Sequence, residues 1–431
     1  MKKIVYITMA FVLAFASCTN EEKDIFGDSA ANRMAAALKE YKSILTSAPN
    51  GWIMEYYAGY DDDPIGKMGG YVFLMSFEED LTVTIASEVY GQQPPKTKRE
   101  SSFDLIADQG PVLTFNTYNE IFHIFSEPSQ SDLDGYGGDY EFVVMSATPD
   151  KVILKGKRNE NQVVMTPFPT STTWDEYIDD VAALKNKLNF PIYNVTIDGA
   201  PTGLQVTLDP FQNYLEVISE RFTWGDNCTY SPTGINLYKP VRIGEYNIES
   251  LVWEDTKKQF TTVVDGATIV LDGFYPEGYS FYDDYLGSYS VQYLNISNML
   301  VSKRCSIIEL DRSAGTFTVR GLFVEDCVVN YNVLSGGLSI SAQSLSTPQS
   351  ARDYVLLNLT GDEAGNMSVS NQYRYEGAFD EEGLITFQPN PFDTSFRGMA
   401  VLFIQEYEDG SLQYVFESEN DVYMNLIMRK R

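Results

Sequence analysis

The sequence predicts an α+β domain followed by an all-β domain, on the basis of three observations. Apolar and polar residues alternate over many short runs, which is typical of half-buried strands. Helical spacing of apolar residues is confined to two stretches within the first 190 residues. Turn residues separate the strand-like runs at hairpin distances. We therefore predict an antiparallel sheet with two helices over residues 28–283, and a meander, sandwich or closed barrel over residues 284–431.

Both predicted helices have recognisable sequence signals. Over residues 28–48 apolar side chains recur every three or four positions, and the sequence PNG at 49–51 ends the pattern. Thr173 and Glu176 form a capping box at the start of a second amphipathic stretch. These are the two helices expected in the first domain.

Strands are predicted from alternation with a period of two. In the first domain the runs cover residues 71–77, 81–87, 140–145, 151–157, 162–166, 193–198, 204–209, 260–264 and 267–271. The second domain begins its series with residues 287–293, 305–310, 316–322 and 327–334. Closure into a barrel would remove the exposed edges of such a sheet.

Composition limits the class of protein. A chain of 431 residues is long enough for two domains, and 44% hydrophobic residues with 13% aromatics indicate a folded chain. Sixty acidic against 31 basic residues give a net charge of −29, which repels a phosphate backbone. We therefore exclude nucleic acid as a partner and interpret the acidity as a soluble surface.

A lipoprotein signal is predicted at the N-terminus. Lys2 and Lys3 precede an apolar run over residues 4–16, the layout of a secretory signal, and the run is short for a membrane span. Cys18 follows small residues directly, the position at which bacterial lipoproteins are acylated, although Phe15 replaces the usual aliphatic residue. We predict lipidation of Cys18, with palmitate among the acyl groups, and anchoring without a transmembrane helix.

The segment after the cysteine is predicted to be a tether. Residues 1–17 form the signal peptide and residues 18–27 an acidic linker. Glu21 and Glu22 resemble the signal with which Bacteroidota export lipoproteins to the cell exterior. We therefore expect an outer-membrane location facing outward, with a merely acidic, solvated linker as the alternative.

The remaining three cysteines, Cys228, Cys305 and Cys327, leave at least one thiol unpaired. Cys305 and Cys327 lie on the first and third of three successive antiparallel strands. Two strand spacings amount to about 9.6 Å, beyond the reach of a disulfide. We expect no bridge between them.

Residues for the common enzyme chemistries are largely missing. His123 is the chain's single histidine, so no multi-histidine metal site can form, and neither a nucleophile elbow nor a phosphate-binding loop occurs. We interpret His123 as a polar ring satisfied between strands. Catalysis is therefore less favoured than binding, although a pair of carboxylates can act as a glycosidase and sequence does not measure their separation.

One acidic, glycine-rich segment suggests calcium. Asp132, Asp134, Asp139 and Glu141 gather around glycines, but Gly135 stands at the fourth position rather than the sixth required by an EF-hand loop. Turn chemistry explains these residues more simply than a metal site does. Calcium stays open as a cofactor, and we predict no other.

Aromatic residues beside glycine and carboxylates supply the binding hypothesis. Tyr56, Tyr57 and Tyr60 form one group, and Tyr279, Phe281, Tyr282 and Tyr285 form another. Exposed rings of this kind suit sugar stacking or a protein interface. Alternatively, the rings close the ends of the hydrophobic cores.

Several segments resemble a known family: residues 26–52, 69–77, 108–129, 135–145 and 153–158 are similar to the Bacteroidota lipoproteins of domain-of-unknown-function family 4302. That family has no established activity. The resemblance implies a lipid-anchored surface protein, often found near SusC/SusD-like nutrient-uptake systems.

The leading hypothesis is a non-catalytic outer-membrane lipoprotein that binds a glycan, a peptide or a partner of an uptake complex. A carboxylate-pair hydrolase and a structural or adhesive surface protein are the alternatives.

Overall fold

The computed structural model describes twelve segments of the chain. They are residues 28–59, 69–88, 96–108, 110–128, 135–209, 212–312, 314–345, 353–361, 367–371, 373–390, 395–406 and 412–431. The predicted lipidation site Cys18 lies outside them. Two compact units comprise residues 1–180 and 181–431.

The first unit contains a closed barrel of eight antiparallel strands. Each strand pairs with the next, and the last pairs with the first, with Trp52 opposite Pro167. Its strands are β1 Trp52–Tyr57, β2 Gly70–Phe77, β3 Thr82–Ser87, β4 Arg99–Ala107, β5 Pro111–Phe115, β6 Glu141–Thr148, β7 Lys151–Gly156 and β8 Gln162–Pro167.

Alternation of side chains builds the core of this barrel. Trp52, Met54 and Tyr56 are buried at every second position of β1, as the period of a strand requires. The first helix, α1 (Ala30–Ser47), starts at the cap Ser29, and its Leu45 joins the same core. The Trp52 indole N–H donates to the Leu45 carbonyl at 2.8 Å, which ties the end of α1 to β1.

Helix α2 (Trp174–Lys185) follows β8 and begins with the predicted capping box. The Thr173 backbone N–H donates to the Glu176 carboxylate at 2.9 Å, and the Glu176 N–H donates to the Thr173 hydroxyl at 3.3 Å. Both predicted helices are thus confirmed. Among the described residues, no helix has the length and apolar character needed to cross a membrane.

The second unit opens with another closed, antiparallel barrel of eight strands. Strand β9 closes it by pairing with both β10 and β16. Its strands are β9 Ile192–Ile197, β10 Ala200–Asp209, β11 Tyr214–Ile218, β12 Thr223–Ser231, β13 Gly234–Ile243, β14 Tyr246–Glu254, β15 Gln259–Val264 and β16 Ala267–Phe274.

A third, 14-stranded sheet completes the second unit. Strand β17 lies between β18 and β30, so the end of the chain returns beside the start of the sheet. Its strands are β17 Gly287–Leu294, β18 Leu300–Asp311, β19 Thr316–Arg320, β20 Cys327–Asn332, β21 Gly337–Ser341, β22 Gln343–Ser344, β23 Tyr354–Gly361, β24 Met367–Ser370, β25 Arg374–Gly377, β26 Leu384–Thr386, β27 Gln388–Asn390, β28 Phe396–Glu406, β29 Leu412–Val415 and β30 Val422–Lys430.

The architecture differs from the single α+β layer predicted over residues 28–283. Two separate barrels occupy this stretch, because each series of eight strands closes on itself. The predicted boundary at residue 283 falls between the second barrel and the third sheet, inside the second unit. Cys228, Cys305 and Cys327 are buried free thiols, and β19 separates the strands that carry the last two.

Candidate functional site

The segment between β16 and β17 carries most of the rings that the sequence marked for binding. It runs from Tyr275 to a short 3-10 turn over Tyr282–Tyr285. Phe281 is 48% exposed, whereas Tyr275 and Tyr279 are half-buried. The segment therefore presents some rings to solvent and buries others.

Three rings of this segment form one aromatic cluster together with Phe190. Tyr275 contacts Tyr279 and Phe281, with centroid distances of 4.8 and 4.9 Å, and Tyr279 meets Phe281 edge-on at 5.1 Å. Phe190 packs on Tyr275 from the other side at 4.8 Å. Each such ring pair contributes about 0.5–1.5 kcal/mol beyond the buried area.

Hydrogen bonds fix the orientation of Tyr279. Its hydroxyl donates to the Val333 carbonyl at 2.5 Å and lies 2.8 Å from the Tyr331 hydroxyl, which also donates to the Ser280 carbonyl at 2.9 Å. Burial raises the pKa of Tyr279, so the phenol stays neutral at physiological pH. The ring is held in place before any ligand arrives.

Tyr279 borders a cleft of about 470 Å³, which we call the Tyr279 cleft. Around the ring it offers one carboxylate, two hydroxyl groups and several apolar surfaces. The lining residues are Pro191, Ile192, Thr207, Pro276, Glu277, Gly278, Tyr279, Leu334 and Ser335. Sequence reasoning missed Thr207 and Ser335, because they reach the cleft from β10 and from the turn before β21.

A second cleft of about 630 Å³ lies beside Tyr282 and Tyr331, and includes the Arg312 side chain. Both faces of the Tyr282 ring are covered, since Phe317 stacks on it at 4.1 Å and the Arg312 guanidinium lies 4.8 Å from its centroid. Arg312 is held by Asp283 at 2.6 Å and lowers the pKa of that carboxyl by hydrogen bonding. Tyr282 therefore has no free face on which a sugar can stack.

Tyr285 is a core residue rather than an exposed ring. It is fully buried, its hydroxyl donates to the Gly336 carbonyl at 2.6 Å, and its ring stacks on Phe379 at 4.9 Å. The 3-10 turn places residues three apart on one side, which buries Tyr282 and Tyr285 together. The expectation that these two tyrosines lie exposed in a loop is wrong.

Tyr56 and Tyr57 also depart from their expected position. Both lie in β1 and are buried, so the loop that we predicted for them is a strand of the first barrel. The Tyr56 hydroxyl donates to the Asp139 carbonyl at 3.1 Å and accepts its backbone N–H at 2.7 Å. Tyr60, from the same predicted group, lies outside the described residues.

The weak calcium candidates are engaged elsewhere where the structure describes them. The buried Asp139 carboxylate accepts the backbone N–H groups of Arg158 at 2.8 Å and Asn159 at 3.1 Å, while burial raises its pKa. Glu141 pairs with Lys157 at 3.1 Å. Asp132 and Asp134 lie outside the described residues, within which no three potential metal ligands cluster.

His123 occupies a 3-10 turn and is buried. Its Nδ1 accepts the Asn119 backbone N–H at 3.1 Å, and burial lowers the pKa of the imidazole. Its ring centroid lies 5.5 Å from those of both Tyr118 and Tyr140, two exposed tyrosines that our sequence reasoning did not select. These contacts describe a packed, neutral histidine.

Fold and site together define an antiparallel, multi-barrel protein with an aromatic cleft. Two family models match the chain. The family described as "Domain of unknown function (DUF4302)" matches residues 22–255, more than half of the sequence, and the chain belongs to this family. A second family, DUF4987, also described as a domain of unknown function, matches residues 264–397. The predicted resemblance to domain-of-unknown-function family 4302 is thereby confirmed, and no curated protein matches the chain.

Likeness to solved structures is weak. Two of the matched structures are a single and a double mutant of the vaccine antigen transferrin binding protein B from Haemophilus parasuis Hp5, which are 7% and 8% identical to this chain. Each comparison covers 88% of this chain and 74% of the other chain, at a TM-score of 0.14. The DNA polymerase III beta chain from Streptococcus pneumoniae TIGR4 is 10% identical, with 93% and 97% covered, at a TM-score of 0.10. These scores are too low to indicate a shared fold.

Proposed function

We propose that this protein is a non-catalytic, lipid-anchored surface protein of the outer membrane that binds an oligosaccharide in the Tyr279 cleft. The observation that carries the proposal is the fixed Tyr279 ring beside hydroxyl and carboxylate groups. An aromatic face packs against the C–H face of a sugar ring, and the polar groups form hydrogen bonds with its hydroxyls.

The cleft has the size and the polar groups for such a ligand. Its volume of about 470 Å³ lies within the usual range of about 300–1,000 Å³ for small-molecule sites. Glu277 accepts hydrogen bonds from sugar hydroxyls, while the hydroxyls of Thr207 and Ser335 both donate and accept. A peptide would more often add itself to an exposed sheet edge, whereas β10, which carries Thr207, is already paired with β9 and β11.

Binding is favoured over hydrolysis by the number of acids in the cleft. A glycosidase requires two carboxyl groups about 5–9.5 Å apart, flanking the bond that breaks. Glu277 is the sole carboxylate among the described residues that line the Tyr279 cleft. The cleft can thus hold a sugar without supplying both an acid and a nucleophile or base.

The lipid anchor would hold this binding protein at the cell surface. Acylation of Cys18 tethers the folded body to the membrane through residues 18–27, and the acidic linker supports export to the outer face. A surface protein that captures oligosaccharides fits an accessory role in a SusC/SusD-like uptake system. That role and the Bacteroidota origin are part of the proposal.

A glycan array tests the proposal with matched variants. The soluble body, residues 19–431, should retain at least one oligosaccharide. Tyr279→Ala combined with Phe281→Ala should weaken that binding about tenfold or more, because the loss of one ring face costs about 1.5 kcal/mol. The control combines Tyr414→Ala with Phe222→Ala, which removes the same ring types from exposed positions outside the cleft. Thermal unfolding of both proteins shows whether the fold is kept.

Two outcomes contradict the proposal. Equal retention by the cleft variant and the control removes the cleft from recognition. Release of reducing ends from a retained glycan, lost on Glu277→Gln, assigns hydrolysis instead of binding.

A further inference from the structure

The outer face of the third sheet carries a groove of about 740 Å³ that is lined by cationic side chains and shares no lining residue with the Tyr279 cleft. Its lining residues are Ser290, Val291, Gln292, Ser302, Lys303, Arg304, Leu384, Ile427, Arg429 and Arg431. We call it the arginine groove. We propose that it is a second binding site, which takes an oligosaccharide bearing carboxylate or sulfate groups.

Strand register brings two arginines to one row of the sheet. Ser290 on β17 pairs with Arg304 on β18 on one side and with Arg429 on β30 on the other. Residues paired directly across strands point to the same face, and two strand spacings separate the two arginine Cα atoms by about 9.6 Å. Both guanidinium groups can therefore converge on one anion above the Ser290 hydroxyl.

The inner and outer faces of these strands have opposite character. Val291 and Met428 alternate with Ser290 and Arg429, and both are fully buried in the core. Lys303 also turns inward, since its ammonium group donates to the Leu322 carbonyl at 2.9 Å. The cations available to a ligand are thus the arginines of the outer face.

Among the described residues, these arginines lack the carboxylate partners that Arg312 and Arg320 have. Arg312 and Arg320 each pair with a carboxylate. In contrast, the side chains of Arg304, Arg429 and Arg431 make no ion pair or hydrogen bond with any described residue. In a chain with 60 acidic residues against 31 basic ones, a groove with three arginines that pair with no described carboxylate carries a local positive field.

The groove is rigid where it matters for recognition. Strand β17 is paired along both edges, and β30 pairs in addition with β26, where Leu384 stands opposite Arg429. A second row places Gln292 between Ser302 and Ile427. The backbone of these strands cannot rearrange without loss of ladder hydrogen bonds, so the rows keep their spacing.

The mixture of groups selects the class of ligand. An arginine guanidinium binds a carboxylate or sulfate through two parallel, charge-assisted hydrogen bonds. A lysine ammonium group lacks this bidentate geometry and recognises such anions less specifically. The hydroxyls of Ser290 and Ser302 and the amide of Gln292 suit the neutral hydroxyls of sugar rings, and Leu384 and Ile427 offer apolar contact. Because both edges of β17 are occupied, an acidic peptide cannot add itself to that strand.

Calorimetric titration of the soluble body, residues 19–431, tests the assignment. The probes are hexagalacturonate and a heparin-derived hexasaccharide, which separate carboxylate from sulfate, with cellohexaose and hexaglutamate as comparisons. We expect at least one acidic saccharide to bind, with affinity falling as salt is raised from 50 to 300 mM. Arg304→Gln combined with Arg429→Gln should raise its Kd at least about tenfold.

The matched control combines Arg320→Gln with Arg374→Gln, which removes the same charge from the same sheet outside the groove. This control should stay within about twofold of wild type in Kd. Tyr279→Ala should also leave acidic-saccharide binding unchanged, so the result is independent of the Tyr279 cleft.

Three outcomes overturn the proposal. The first is that neither acidic saccharide binds the wild-type protein. The second is that the groove variant and the control weaken binding equally, which indicates net charge alone. The third is that hexaglutamate binds as tightly as the saccharides, which indicates a nonspecific anion surface.

Discussion

Replacing Tyr285 by phenylalanine distinguishes a core ring from a ligand-binding ring in the segment before β17. The substitution removes one oxygen atom and keeps the ring that stacks on Phe379. The lost hydroxyl donates to the Gly336 carbonyl at 2.6 Å in a fully buried setting. Burial also raises the pKa of Tyr285 to about 12, so the phenol is a neutral donor in the native protein.

The size of the effect follows from this geometry. A buried carbonyl that loses its donor costs about 1–3 kcal/mol. For a unit of about 250 residues each kcal/mol shifts the midpoint by about 2–4 °C, so a loss of 2 kcal/mol lowers Tm by about 4–8 °C. The transition to follow is that of the second unit.

Differential scanning calorimetry measures this shift, with Tyr414→Phe as the control. Tyr414 is exposed, so the same chemical change there should move Tm by less than about 2 °C. Oligosaccharide binding at the Tyr279 cleft should be the same in both variants below their transitions. An unchanged Tm together with lost binding in Tyr285→Phe would refute the assignment of Tyr285 to the core.

Four further predictions follow from the other sites. Asp139→Ala should destabilise the first unit by about 3 kcal/mol in urea unfolding, because two backbone N–H groups lose a carboxylate acceptor. An equal loss of stability when calcium is chelated from the wild-type protein would instead indicate a metal site. The pKa of His123, the single histidine, should lie below 6.5 in a proton NMR titration. As pH falls, the unfolded chain therefore binds the proton before the folded protein does, and the free energy of unfolding should fall below about pH 6.5. Gly225→Ala should destabilise the second barrel by about 1–3 kcal/mol in urea unfolding, because the new Cβ would lie 1.9 Å from a backbone carbonyl oxygen of β11. The control Gly110→Ala should be near neutral, because its Cβ would meet no atom closer than 3.6 Å. Cys18→Ala should abolish incorporation of labelled palmitate in the host, and continued labelling would contradict the anchor.

Local patterns allowed the helices and many of the strands to be predicted. The period of α1 and the Thr173 capping box are properties of neighbouring residues, and they lie where the sequence placed them. Closure of the first barrel depends instead on the pairing of Trp52 with Pro167, more than 100 positions apart, and no local signal specifies that contact. One continuous layer was therefore predicted where two barrels exist.

The composition of the segment between β16 and β17 predicted exposed rings, and the geometry corrects this prediction for Tyr282 and Tyr285. Glycine and carboxylates beside tyrosines did identify the segment that contains Tyr279 and Phe281. Composition does not show that a 3-10 turn buries Tyr285, or that Arg312 and Phe317 cover Tyr282. The cleft partners also come from distant strands, which a local pattern cannot connect.

A crystal structure of residues 19–431 with an oligosaccharide retained on the array would show whether the Tyr279 cleft is the binding site. We expect a sugar ring stacked on Tyr279, with its hydroxyls hydrogen-bonded to Glu277, Thr207 or Ser335. Ligand density confined to another surface, with the Tyr279 cleft filled by solvent at saturating ligand, would contradict it.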